Sequence, residues 1–146
     1  MSPSAMRMRL PALLAALWWG SLSIIGLLVV PMLFAHLPSA ALAGGMAARL
    51  FAAQTWVTVV CGVLLLLLSR PKGAVAQYPW AQSAMVFILA GLLLALLAQF
   101  GVAPRIVARQ DLRLWHTVGS VMYLLQWCCA LAVLWRTTQA GADAPP

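Results

Sequence analysis

His36 and His116 are the chain's only histidines, and Cys61, Cys128 and Cys129 are its only thiols. Imidazole and thiolate are the side chains that hold zinc, copper or heme iron. Their spacing here builds little. Cys128 and Cys129 are adjacent, and no CxxC pair or zinc-finger spacing is present. The cysteines therefore read as small packing residues. The two histidines make a candidate metal or heme pair if the fold joins them. No carboxylate or thiol stands beside either one to complete a coordination shell. The bland alternative is two interfacial histidines without a ligand. Asp111 and Asp143 are the only acids. There is no paired carboxylate, no Ser–His–Asp arrangement and no phosphate loop, so the residues predict no enzyme. No cofactor is implied.

Composition fixes the setting in which these residues act. The chain has 146 residues, of which 64% are hydrophobic and 8% charged. A soluble domain carries about 25% charged residues. Too few polar groups remain to cover a surface in water. The net charge of +7 comes from nine Lys and Arg against the two acids. These bases flank apolar runs, which predicts membrane orientation signals and contact with anionic lipid headgroups. No basic, aromatic-interleaved patch points to nucleic acid.

The charges also divide the chain. No formal charge falls between Arg9 and Arg49, Arg49 and Arg70, Lys72 and Arg105, or Arg113 and Arg136. Each gap holds the roughly 20 apolar residues that a spanning helix needs. The runs are continuously apolar, not alternating, which excludes barrel strands. The expected fold is all-α: an integral membrane four-helix bundle with short loops. Its helices are expected at about 11–34, 48–69, 81–102 and 114–135. A cytoplasmic tail at 1–10 and a disordered tail at 137–146 complete the domain layout.

"PMLFAHLPSAALAGGMAARLF" (Pro31–Phe51) would form the first reversal, with Pro31 kinking or closing helix one. Pro38 and Gly44–Gly45 would make the turn. "SRPKG" (Ser69–Gly73) would make the second. An alternative makes the first segment a secretory signal cut after "ALA" (Ala41–Ala43). Its apolar run, Leu10–Ala35, exceeds the roughly 7–15 residues of a signal core and favours a retained span.

Arg7 and Arg9 precede the first helix, so the N-terminus is expected in the cytoplasm, and four spans return the C-terminus to the same side. The full count is five bases inside (Arg7, Arg9, Arg70, Lys72, Arg136) against four outside (Arg49, Arg105, Arg109, Arg113). Both histidines then sit at the outer surface. Arg49 falls opposite its helix's polar face and would snorkel to headgroups.

Helix faces follow from the 3.6-residue period. Ala12, Ala16, Gly20, Ser23 and Gly26 form a small-residue stripe on helix one, and Ala84, Gly91, Ala95 and Ala98 one on helix three. Small residues let membrane helices approach closely. Gln54, Thr55, Thr58, Cys61 and Gly62 share a face of helix two. His116, Gly119, Tyr123, Gln126 and Ala130 share one of helix four, with Ser120 at its edge. Such faces turn inward, giving either interhelical hydrogen bonds or a polar cavity between helices two and four. Trp80, Trp115 and Trp135 read as an interfacial belt, and Trp18 and Trp19 as packing residues.

"VVPMLFAHLP" with "AGGMAARLF", and later "LRLWHTVGS", resembles a bacterial four-helix membrane family, domain of unknown function 4149. Its eukaryotic relatives are the transmembrane protein 205-like proteins. The resemblance implies family positions at Phe34, Arg49, Leu50, Phe51, Arg113, His116 and Ser120. Some relatives carry asparagine where this chain has Tyr123. The family has no assigned reaction, and its eukaryotic group is associated with platinum-drug resistance. The resemblance implies a multi-pass protein of the bacterial inner membrane.

Two functions are open at this stage. One is a structural or interaction component, self-associating or part of a larger membrane complex. The other is a transporter or carrier of a metal, heme or small ligand, using the outer His/Arg cluster. The absence of acids within the spans argues against a proton-coupled pump.

Overall fold

A computed structural model describes residues 3–70 and 79–142. Four long helices account for nearly all of them. Helix α1 covers residues 3–36: Pro3–Ser23, a π-helical stretch Ile24–Val29, then Val30–His36. Helix α2 is Ala40–Leu68. Helix α3 covers residues 79–107: Pro79–Leu97, a second π stretch Ala98–Val102, then Ala103–Val107. Helix α4 is Leu112–Ala142. All four are long and apolar enough to cross a membrane. The chain is a multi-pass membrane protein with the expected all-α bundle.

The helices exceed the expected spans. Residues 3–10 belong to α1, not to a separate tail, and α4 stays helical to Ala142. Residues 71–73 of the second turn, including Lys72, and 143–146 of the tail lie outside the described residues. Gly44 and Gly45 do not turn the chain; both lie inside α2. The first reversal is tighter, only residues 37–39. Pro38 holds Leu37 extended (φ −82°, ψ 147°) and so stops α1. The Ser39 hydroxyl then accepts the Leu42 N–H at 3.2 Å and caps α2. Asp111 Oδ1 accepts the Leu114 N–H at 3.2 Å in the same way for α4.

The π stretches have a common cause. Pro31 and Pro104 lack an N–H, and each ring crowds the carbonyl four residues earlier, Leu27 or Phe100. Neither proline breaks its helix. The turns just before it widen instead, with Val30 N–H reaching Ile25 O and Ala103 N–H reaching Ala98 O, five residues back. In α1 the widened stretch places Gly26, Leu27 and Val30 along the same opening, Leu27 at its exposed edge.

Around the bundle, α1 neighbours α2 and α4, and α3 neighbours the same two. Both ends of the described chain therefore lie at one end of the bundle. The core fills that half: Ala15, Trp18 and Leu22 of α1, Cys61 and Leu65 of α2, Ala81, Ala84 and Ile88 of α3, and Ala130 and Val133 of α4. Trp18 is its keystone, fully buried. Its ring crosses the bundle to Gly91, where an added Cβ would come within 2.6 Å of the indole. Its Nε1 donates to Thr58 Oγ1 at 3.0 Å. Gln126 Nε2 donates to the same oxygen at 2.9 Å, so one hydroxyl of α2 ties α1 and α4.

The small-residue face of α3 points inward as expected, with Ala84, Gly91 and Ala95 buried and Leu93 opposite and exposed. The stripe on α1 does not. Its interior face is Pro11, Ala15, Trp18 and Leu22, while Ala16 is exposed and Gly20 has open space beside it. Ser23 and Gly26 of that stripe meet α4. Trp80 is buried against the core, so it is not a belt residue; Trp135 is exposed.

Candidate functional site

The half of the bundle away from the termini does not close. Between its four helices lies a cavity of about 510 Å³. That is within the roughly 300–1,000 Å³ of small-molecule sites. Leu22, Gly26, Leu27 and Val30 of α1 line one wall, with Leu27 inside the first π stretch. Ala98, Gln99 and Val102 of the second π stretch line the wall opposite. Phe51, Gln54 and Thr55 of α2 and Gly119, Tyr123 and Trp127 of α4 form the other two. Both widened turns thus border the same space.

Polar groups sit at two levels. At the floor, next to the packed core, Gln54 and Gln126 are both buried. Gln54 Nε2 donates to Ser21 Oγ at 3.0 Å, and Ser21 Oγ donates to Trp18 O at 2.9 Å. Since the serine proton is committed to that carbonyl, the amide orientation of Gln54 is fixed. Its Oε1 is then a buried acceptor with no partner among the described residues. A stranded acceptor of this kind costs about 1–3 kcal/mol.

On the wall, the Tyr123 hydroxyl donates to Leu22 O at 2.8 Å, and Trp127 Nε1 donates to Ser23 Oγ at 2.8 Å. Tyr123 needs a glycine opposite: a Cβ on Gly26 would stand 2.6 Å from its ring. Phe51 meets Tyr123 edge-on at 5.2 Å, and Trp19 tilts against Trp127 at 5.6 Å. These contacts hold the aromatic wall in place while leaving the space beside it unfilled.

At the mouth, near the loops, stand His116 and Ser120. The His116 ring faces its own helix, with Nδ1 2.8 Å from Leu112 O. A carbonyl can only accept, so Nδ1 carries the proton and Nε2 is left over. His36 does the same against Met32 O at 3.0 Å.

The sequence candidates divide accordingly. Phe51, His116, Ser120 and Gln126 border the cavity. Phe34, His36, Arg49 and Arg113 are exposed and do not. Leu50 is half-buried. The structure does not gather both histidines at the cavity. Among the described residues no group of three or more His, Cys, Asp or Glu side chains is placed to hold a metal. The polar residue that sequence reasoning missed is Gln99, the single amide in the run "LLLALLAQFGV".

A family model described as "Domain of unknown function (DUF4149)" matches residues 13–115. That span contains most of the first helix's membrane segment, those of the second and third, and both loops at the cavity end. The rest of α4, with His116, Ser120 and Gln126, follows it. No curated protein and no solved structure matches the chain.

Proposed function

We propose a function for a chain that belongs to the DUF4149 family: it is a membrane-embedded binding protein, a carrier for a small amphipathic molecule. The observation behind this reading is the cavity of about 510 Å³ framed by two proline-linked π stretches. Its lining is mostly aliphatic and aromatic, with a few polar groups at floor and mouth. That is the usual make-up of a ligand site, and π turns recur at functional sites. The lining offers one imidazole and no carboxylate or thiol, which favours binding over catalysis.

The test is co-purification. Parent and Ala98→Phe proteins are isolated in mild detergent, and their bound small molecules are compared by mass spectrometry. Ala98 borders the cavity, and a benzyl group there would take up part of its space. The parent should retain a small molecule at near one per chain, and the variant should retain about a tenth or less. Equal retention by both would remove the cavity from the account.

A second reading, self-association or entry into a larger membrane complex, is favoured by one feature. Ala16 and Gly20 of α1 present a small-residue surface that no described helix covers. Both readings are framed in a bacterial cytoplasmic membrane with N- and C-termini inside. Reporters active only in the cytoplasm should work after Arg136 and fail within residues 37–39. The reverse pattern would invert the orientation.

A further inference from the structure

We propose that the cavity takes a single-chain anionic amphiphile, an acyl chain headed by a carboxylate, with its head at the loop end. This rests on the binding reading above and adds the chemistry of the ligand. The cavity has one end for each part of such a molecule. Leu27, Val30, Ala95 and Val102 offer walls for a hydrocarbon chain.

The loop end of the bundle, where the mouth opens, carries unbalanced positive charge. Ala103 and Ile106 border the cavity on either side of Arg105, and Arg109 and Arg113 follow within the connecting loop and the first turn of α4. Arg49 stands at the same end of the bundle, on the side of α2 away from the wall residue Phe51. All four arginines are exposed. Asp111 is the only carboxylate among the described residues, and its Oδ1 already accepts the Leu114 N–H. One carboxylate cannot neutralise four guanidiniums. Arg105 is held at the rim: its guanidinium lies 4.6 Å over the Trp115 ring and donates to Gly101 O, within the second π stretch. Arginine is the side chain best fitted to a carboxylate, through paired N–H donors. A cavity of this volume suits one chain. A two-chain phospholipid is far larger.

The experiment is native mass spectrometry of the detergent-purified chain titrated with palmitate, palmityl alcohol or phosphatidylglycerol. Palmitate should add to one per chain and saturate. The alcohol, identical except for the charge, should bind at least ~10-fold more weakly, the factor expected from losing charge-assisted hydrogen bonds. Arg105→Gln with Arg113→Gln should bring palmitate down to the alcohol's affinity and leave the alcohol unchanged. Ala98→Phe should abolish both, while its thermal midpoint reports that it is folded. Equal binding of acid and alcohol, both lost in Ala98→Phe, would overturn the anionic head and keep the binding site. Palmitate binding that survives Ala98→Phe would overturn the site as well. Phosphatidylglycerol that binds as tightly as palmitate and is lost in Ala98→Phe would replace the single chain with a membrane lipid. Phosphatidylglycerol indifferent to Ala98→Phe marks headgroups on the surface, as the proposal expects.

Discussion

Where the bundle carries both chain ends, Trp18 fills the space over Gly91, and Ala84, Ile88, Ala130 and Val133 close around it. At the other end Gly26 faces Tyr123, a similar pairing of glycine and aromatic ring, yet about 510 Å³ stays open. Both halves are built from small residues, aliphatics and aromatic rings that donate hydrogen bonds. The backbone makes the difference. In the packed half the helices are regular, and a glycine makes room for the ring that crosses between them. In the open half Pro31 and Pro104 widen α1 and α3 by π turns on facing walls. An amphipathic bundle in lipid has no hydrophobic drive to close such a gap, because lipid tails are as apolar as its walls.

The largest effect should come from attacking the packed half. Gly91→Leu puts a branched chain where a single Cβ already meets the indole at 2.6 Å. Trp18 cannot swing away without losing its bond to Thr58. A loss of about 3 kcal/mol is expected, the upper end for overpacking. Thermal unfolding in detergent reads it. A variant as stable as the parent would mean that the core is loose and that the two halves do not differ.

A smaller effect tests the seam between them. Thr58→Val keeps the shape but strands the Trp18 and Gln126 donors, which share its hydroxyl. The expected cost is about 1–2 kcal/mol, tempered because hydrogen bonds between membrane helices are individually weak. The indole environment of Trp18, read by near-ultraviolet circular dichroism, should change with it. An unchanged spectrum and midpoint would show that the polar tie between α1, α2 and α4 is not needed to separate core from cavity.

Much of the fold was readable because the determinants of spanning helices are one-dimensional. Bases bracket apolar runs, and the polar face of α2 and the small-residue face of α3 follow from periodicity. Gln54, Thr55, His116, Gly119, Tyr123 and Gln126 were legible as inward-facing, with Ser120 at the edge; all border the cavity, His116 and Ser120 from its exposed rim. The inward face of α1 was not. Trp18 and Leu22 define it, while small residues suggested the other side. A large ring can fill a helix interface as well as small residues can, and only the partner surface, here Gly91, decides between them. The π turns were also hidden. Pro31 reads as a kink or a stop, and whether a helix absorbs a proline depends on its neighbours. The pairing of His36 with His116 assumed that the same end meant the same side. Two helix ends at one membrane surface leave each side chain free to face outward, and His36 does.

The most direct measurement pairs two identical substitutions on α3. Ala84 is fully buried in the packed half, and Ala98 borders the cavity. Thermal unfolding of Ala84→Phe and Ala98→Phe should be compared in one detergent, after exhaustive exchange to strip bound molecules. The account predicts a lower midpoint for Ala84→Phe, a loss of about 1–3 kcal/mol from overpacking. It predicts an unchanged or higher midpoint for Ala98→Phe, since the ring occupies empty space and gains contacts. Equal destabilisation by both would show that the second half is packed as tightly as the first and that no cavity awaits a ligand.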